Sequence, residues 1–361
     1  MARDTYDRSE DCTSTPIAGV ITDTHLKPEN VDLVVDIFKQ FIELLNSLGL
    51  KTALHIGDWF TSRSSQSLVC LLVTTRILDM FEKEKIMLHI IAGNHDKTDL
   101  TSEESYLTIF NNRKYVRLYE SEDFIDDEES QIRMGFLPYF KEGVEYLQRL
   151  SNLNEKMGDF AMSALFTHVS INGVRNNDGS VVEGDVEADF FNQYDLVFTG
   201  HYHNSSQVGE NIHYIGSAYQ ANFGEDENKG FTILCDDLSF YHVQSNFPHY
   251  HKFVIQASDK KQTTKLLQEH FKSPDNVRFV FEGTQEEIEK IDVGVFAAAG
   301  ISVQRENVSD KVMFEEVEDA QVMNFDKKTI LKNYIEYTKI QEFTPEKRKQ
   351  GISMVNSINF S

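Results

Sequence analysis

Eight residues of the kinds that ligate metals or move protons fall in this chain where short apolar runs stop: Asp23, His25, Asp58, Asn94, His95, His168, His201 and His203. The densest stretch is Leu88 to Asp96, Leu-His-Ile-Ile-Ala-Gly-Asn-His-Asp. Its apolar run ends at Gly93, whose missing Cβ permits a tight turn, so Asn94, His95 and Asp96 can emerge together from the carboxyl end of a buried strand. In Asp23-Thr-His25 and His201-Tyr-His203 a single residue separates the pair. An extended backbone would put both members on one side, a spacing at which they can share a metal. Seven of the residues sort into two overlapping sites, Asp23, His25, Asp58 and His203 around one ion and Asp58, Asn94, His168 and His201 around the other, with Asp58 bridging. Two cations about 3.5–4 Å apart clamp the attacking and departing oxygens of an in-line displacement at phosphorus. His95 is left to stabilise charge or protonate the departing oxygen, with Asp96 as its orienter. Mixed nitrogen and oxygen donors favour manganese, iron or zinc over magnesium or calcium, which prefer oxygen alone.

Taken singly, each residue has an ordinary explanation: His168 as a core histidine, Asp58 as a helix N-cap. The dinuclear reading rests on their joint placement at strand ends. His55, His89, His213, His242, His249 and His251 lack that placement and are read as structural or surface residues.

The elements that must position these residues alternate. Strands are expected at Ile17 to Thr22, Thr52 to Ile56 and Ile86 to Ala92. Helices are expected at Val31 to Leu48, closed by Gly49 as a cap, and at Gln66 to Lys85. Strand and helix in alternation argue a mostly parallel sheet. A helix-like stretch, Glu103 to Asn112, and an acidic loop, Glu120 to Glu129, follow. A second layer is expected from Gln131 to Pro138, a helix Glu142 to Leu153, then Ala164 to Thr167, Asp195 to Thr199, Ile212 to Ser217 and Phe231 to Leu234.

Past residue 248 the pattern becomes a compact β-α-β-α: Lys252 to Gln256, Thr263 to Phe271, Val277 to Phe281 and Thr284 to Ile291, the last opened by a Thr284/Glu287 capping box. The division expected is a flexible leader over 1–16, a main domain over 17–247 and a small domain over 248–305. Residues 306–361 form an acidic connection, an amphipathic helix at Lys327 to Ile340 and a tail.

The 35 basic and 58 acidic residues give a formal net charge of −23, which counts against a protein that wraps nucleic acid unaided. Bound cations or a basic partner could offset it locally. Hydrophobic content of 40% excludes wholesale disorder. No apolar run approaches the roughly 20 residues that span a bilayer, and the first 16 residues lack a signal-peptide core, so a cytoplasmic location with no membrane association is expected. Cys12, Cys70 and Cys235 have no CxxC spacing and read as reduced thiols.

Asp23-x-His25, Gly57-Asp58, Gly93-Asn94-His95-Asp96, His168 and Gly200-His201-x-His203 resemble, in order, the five blocks of the calcineurin-like metallophosphoesterases. Within that superfamily, Asp23-Thr-His25-Leu26 and the run Tyr214 to Glu225 followed by Lys229-Gly230-Phe231 resemble the SbcD-type nuclease subunit of double-strand-break repair and its phage recombination counterparts. The resemblance implies an α/β fold, a two-layered β-sandwich flanked by helices, with the small α+β domain as a capping domain. It implies a manganese-dependent DNA nuclease, exonucleolytic on duplex ends and endonucleolytic on single strands, in a bacterial cell or phage-infected host. It also implies an SbcC-type coiled-coil ATPase partner bound by the C-terminal helix, and a homodimer. The Gln66 to Lys85 helix is the candidate dimer face and is equally readable as plain core. One departure stands out: the family often carries a His three residues after the bridging Asp, where this chain has Thr61, which implies slower cleavage of duplex ends. A phosphatase or cyclic-nucleotide phosphodiesterase with the same site is the alternative activity, and a non-catalytic scaffold the third.

Overall fold

The computed structural model describes residues 14–158, 160–176 and 180–308. Most of the leader, all but the start of the acidic connection, and the Lys327 to Ile340 helix with the tail beyond it lie outside the described residues. The chain divides into two units, one running to Lys252 and including Ser273–Val277, the other comprising Phe253–Lys272 and the residues from Arg278 on.

The first unit begins with strand β1 (Pro16–Ile21), helix α1 (Val31–Ser47), β2 (Thr52–Ile56), α2 (Leu68–Glu84), β3 (Met87–Ile91) and β4 (Val116–Tyr119). It continues through β5 (Asp123–Asp127), β6 (Ile132–Leu137), α3 (Val144–Met157), β7 (Met162–His168) and β8 (Leu196–Gly200). It closes with β9 (Ser206–Val208), β10 (Ile212–Tyr214), β11 (Gly230–Cys235) and β12 (Phe240–Gln244). These strands form two six-stranded sheets, ordered β12-β11-β1-β2-β3-β4 and β5-β6-β7-β8-β10-β9. Pairing is parallel from β1 through β4 and from β6 through β8 to β10, and antiparallel at the remaining edges. The expected mostly parallel layers are thus found, stacked as a sandwich with helices outside.

The strand sequences dictate this stacking. Central parallel strands are buried on both faces and read as continuous apolar runs. Alternate residues of β1, β2 and β3 (Ala18, Val20, Leu54, Ile56, Ile91) meet Ile132, Met134, Phe136, Ala164, Phe166 and Phe198 of the other sheet in one buried cluster. The opposite face of the first sheet packs on α1 and α2 through Phe38, Phe41, Leu45, Ile77, Leu78 and Phe81. Helix α3 covers the second sheet through Tyr146, Leu150, Leu153 and Met157. Leu50 N–H bonds the Leu45 carbonyl at 2.8 Å beyond Gly49, which sits at φ +72° as the expected cap.

Two local expectations fail. Glu103 to Asn112 is not a helix; only Thr108–Phe110 forms a 3-10 turn. Side-chain oxygens of Ser102, Ser105 and Thr108 take the backbone N–H groups of Glu104, Leu107 and Ser105, bonds that compete with helical ones. The acidic run Glu120 to Glu129 is not simply a loop but contains edge strand β5, where Asp126 is paired to Arg133 of β6 at 2.6 Å. Strands β4, β9 and β12 were not anticipated.

Strands β13 (Tyr250–Gln256), β14 (Asn276–Gly283) and β15 (Ile301–Asn307) form one sheet, the first two belonging to the second unit from Phe253 and Arg278 on, and that unit also carries α4 (Lys260–Glu269), α5 (Gln285–Glu289) and α6 (Val293–Ala298). Glu287 Oε2 accepts from Thr284 N at 2.9 Å, completing the expected capping box. Helix α6 and β15 lie beyond the elements expected there. No helix of the described residues is long and apolar enough to cross a membrane.

Phe41 is wholly buried, 5.0 Å from the Phe231 ring, at the contact of α1 with the sheet. Phe41→Ala should cost about 3–5 kcal/mol of unfolding free energy, read from the midpoint of urea denaturation.

Candidate metal centre

The strands stop in register, and the chain then turns sharply rather than running on. Asp23 N bonds the Gly57 carbonyl at 3.1 Å and His25 N the Asp58 carbonyl at 3.0 Å, extending the β1–β2 pairing into the loops. Asp23, His25, Asp58 and His201 all sit at positive φ, 51°, 42°, 54° and 97°. The extended backbone expected at Asp23-x-His25 and at His201-x-His203 is therefore absent. Left-handed residues abandon strand alternation at a cost of about 1–2 kcal/mol each, and tertiary bonds hold them there. Thr22 Oγ1 donates to the Ile56 carbonyl at 3.1 Å. Asp96 accepts from the backbone N–H of Gly93, Trp59 and Phe60 at 2.9, 3.1 and 2.9 Å. Gly93 is required by proximity, since a Cβ there would stand 2.2 Å from Asp58 Oδ1.

The turns gather two groups of donors, Asp23, His25 and His203 in one and Asp58, His168 and His201 in the other, with the ligating atoms of each group within 4.8 Å of one another. His25 Nε2 lies 2.9 Å from His203 Nε2 and 3.8 Å from Asp23 Oδ1. Asn94 Oδ1 lies 3.1 Å from His168 Nε2 and 3.0 Å from His201 Nδ1. Asp58 faces both groups, Oδ2 at 3.6 Å from His25 Nε2 and Oδ1 at 3.4 Å from His168 Nε2. All seven residues expected as ligands are thus brought together. Because alternation fails, His201 and His203 turn to different groups.

The donor set fits divalent cations. Asp23 and Asp58 are 1% and 2% exposed, and among the described residues no Lys or Arg is ion-paired to either. Burial pushes the His25 and His201 rings down to about 3, leaving them neutral with lone pairs to offer. Burial also opposes charge on His168, but Asp58 and Asp23 outweigh it and raise that ring to about 9. Burial would raise Asp58 likewise, yet His168 beside it holds the carboxyl well below the usual range. Protonated His168 supplies positive charge that a metal would otherwise bring.

His95 sits beside both groups, its ring 5.1 Å from that of His25 and its Nδ1 2.5 Å from the Thr61 carbonyl. Asp96 makes no bond to His95; its oxygens are taken by the three backbone donors, so it holds the loop and does not orient the ring. Thr61, where the resemblance leads one to look for a His, steadies His95 through its main chain. Residues not expected at the site from sequence complete the surroundings. Tyr219 Oη donates to the Thr24 carbonyl at 2.6 Å, Asn30 Nδ2 to the His25 carbonyl at 2.9 Å, and Glu225 meets His203 Nδ1 at 2.8 Å. The donors open into a cavity of about 340 Å³, lined also by Lys27, Arg63 and Tyr250.

The model of the family described as calcineurin-like phosphoesterase matches residues 18–205, more than half of the chain. The chain belongs to that family. As a calcineurin-like phosphoesterase it is a metal-dependent hydrolase of a family that uses two divalent ions, for which the two donor groups stand ready. The phosphoesterase is 26% identical over 223 residues to a chain of Invertebrate iridescent virus 6 named as phosphoesterase 244L, covering 59% of this chain and 74% of that one. It is 25% identical over 203 residues to exonuclease subunit 1 of Enterobacteria phage T4, covering 55% of this chain and 57% of the phage protein. It thus spans little more than half of the phage protein's length. Against the DNA double-strand break repair protein Mre11 of Methanocaldococcus jannaschii it is 25% identical over 267 residues, covering 68% of this chain and 71% of the other.

Since His168 must shed its proton to ligate, metal loading should release a proton and affinity should rise with pH up to about 9, then level off. Calorimetric titration with manganese in buffers of different ionisation heat reads both quantities; a pH-independent affinity over that range would contradict the arrangement.

Proposed function

We propose that the phosphoesterase is a two-metal DNA nuclease acting in end processing, recombination and repair. The observation that carries the reading is the pair of donor groups, with Asp58 of one facing His25 of the other, opening on a cavity that His95, Lys27 and Arg63 also line. Asp23, His25, Asp58 and His203 are proposed as ligands of one ion, and Asp58, Asn94, His168 and His201 of the other. When bound, such a pair polarises a phosphodiester and stabilises the charge of in-line displacement. The chain's own residues supply the rest. His95, fixed through Nδ1 by the Thr61 carbonyl, keeps Nε2 for the substrate and protonates the departing oxygen. Lys27 and Arg63, both exposed at the cavity, pair with phosphates flanking the scissile bond.

Nucleic acid as substrate is supported by the relatives named for exonuclease and double-strand-break repair roles. Manganese is proposed as the metal on the SbcD-type resemblance, iron and zinc being the others that suit such donors. The wider assignment follows the sequence resemblance to SbcD-type subunits: a cytoplasmic protein working with an SbcC-type coiled-coil ATPase, the second unit serving as capping domain. Leu68, Val69 and Leu72 of α2, 71%, 42% and 60% exposed, suit a homodimer contact. A phosphatase or cyclic-nucleotide phosphodiesterase is the second reading, favoured by the net charge of −23, which opposes a long polyanion.

Linear duplex and single-stranded DNA should both be degraded by the purified chain with manganese and spared with chelator. Hydrolysis of a small phosphodiester with DNA untouched would favour the second reading. His95→Ala should retain both ions and lose turnover by about 10²–10⁴-fold, the usual worth of a general acid, read as kcat beside metal content. Loss of metal in that variant would make His95 a ligand instead.

A further inference from the structure

We propose that Glu225 is a positioning residue for the ion of Asp23, His25 and His203, and that it ties that ion to one wall of the substrate cavity; the proposal rests on the two-metal reading above. Glu225 is 7% exposed, and its Oε1 lies 2.8 Å from His203 Nδ1. A carboxylate there requires the proton on Nδ1, which leaves the Nε2 lone pair aimed at His25, 2.9 Å away. Lys229, wholly buried, steadies the same residue from its backbone, Nζ donating to the His203 carbonyl at 2.5 Å while standing 3.8 Å from Glu225 Oε2.

Among the described residues the histidines of the other group have no such partner. His168 Nδ1 meets the Ile56 carbonyl at 3.0 Å, a neutral acceptor. An anionic partner raises the basicity of its histidine and a carbonyl does so less, so the two ions are unequally supported.

Glu225 also organises the loop that follows Tyr219. Ala221 N and Asn222 Nδ2 donate to its carboxylate at 3.0 and 2.7 Å, and Gln220 Nε2 to its carbonyl at 2.9 Å. Gln220 and Ala221 line the cavity, and Gln220 Oε1 accepts from the N–H of Tyr250, another lining residue, at 2.9 Å. One side chain therefore touches both the ligand and the wall.

The test is Glu225→Gln, which keeps shape and an acceptor for Nδ1 but removes the charge. Manganese content by equilibrium dialysis, the spin-coupled signal of a dinuclear centre by electron paramagnetic resonance, and thermal unfolding of the metal-free protein are measured on wild type and variant. Wild type should bind two ions. The variant should hold one with unchanged affinity and the other about 10–100-fold more weakly, losing the coupled signal at manganese levels that saturate wild type and regaining it at higher levels. Glu225→Asp, which restores the charge, should recover part of the lost affinity. Unchanged binding of both ions by Glu225→Gln overturns the proposal and leaves the two-metal reading standing. Equal weakening of both, with a lowered unfolding temperature, also overturns it by making Glu225 a support of the fold. Fewer than two ions in wild type sinks the two-metal reading itself.

Discussion

The rest of the structure depends on two carboxylates, Asp23 and Asp58, buried side by side with no Lys or Arg ion-paired to either among the described residues. Taking a carboxylate out of water without a partner costs several kcal/mol, so a fold that buries two must surround them with compensation. It does so with imidazoles, one of them holding its proton against burial, and with backbone N–H groups such as those of His95 and His201, which donate to Asp58 and Asp23. The convergence of lone pairs and the want of fixed positive charge are two sides of one arrangement, the one a divalent cation completes.

The sandwich makes that arrangement affordable by putting all five loops at one end. Strands β1, β2 and β3 run parallel in one sheet and β7 and β8 in the other, so their carboxyl ends present the ligand-type residues at a common edge. The long apolar strands exist to be buried on both faces, and the polar residues cluster where that burial stops.

That logic is why so much of the site was legible in the sequence. Apolar runs ending in Asp, Asn or His mark strand exits whatever the tertiary details, and Asp58, Asn94 and His168 could be placed from that alone. What could not be read was the backbone between them. Nothing local in Asp23-Thr-His25 announces positive φ at two non-glycine residues; the bonds from Asp23 and His25 N–H to the carbonyls of Gly57 and Asp58 impose it from 34 and 33 residues away. Asp96 looked like an orienter because it follows His95, whereas its three partners include residues 36 and 37 positions earlier. Glu225 stood only at the end of the run that carries the SbcD-type resemblance, and nothing local tied it to its histidine, 22 residues away, in a loop that also holds Asp226 and Glu227. Strand β5 was hidden by its acidic composition, since an edge strand facing solvent needs no apolar run.

Each donor group draws residues from both layers: Asp23 and His25 follow β1 while His203 follows β8, and Asp58 follows β2 while His168 ends β7. Between the layers lies an apolar seam of Val20, Ile56, Phe136 and Phe166, and contacts of that kind are non-directional, tolerating small slippage. Coordination is directional and tolerates little. An ion in either group would therefore act as a dowel through two stacked plates, fixing their registry at one edge while the seam supplies the adhesion.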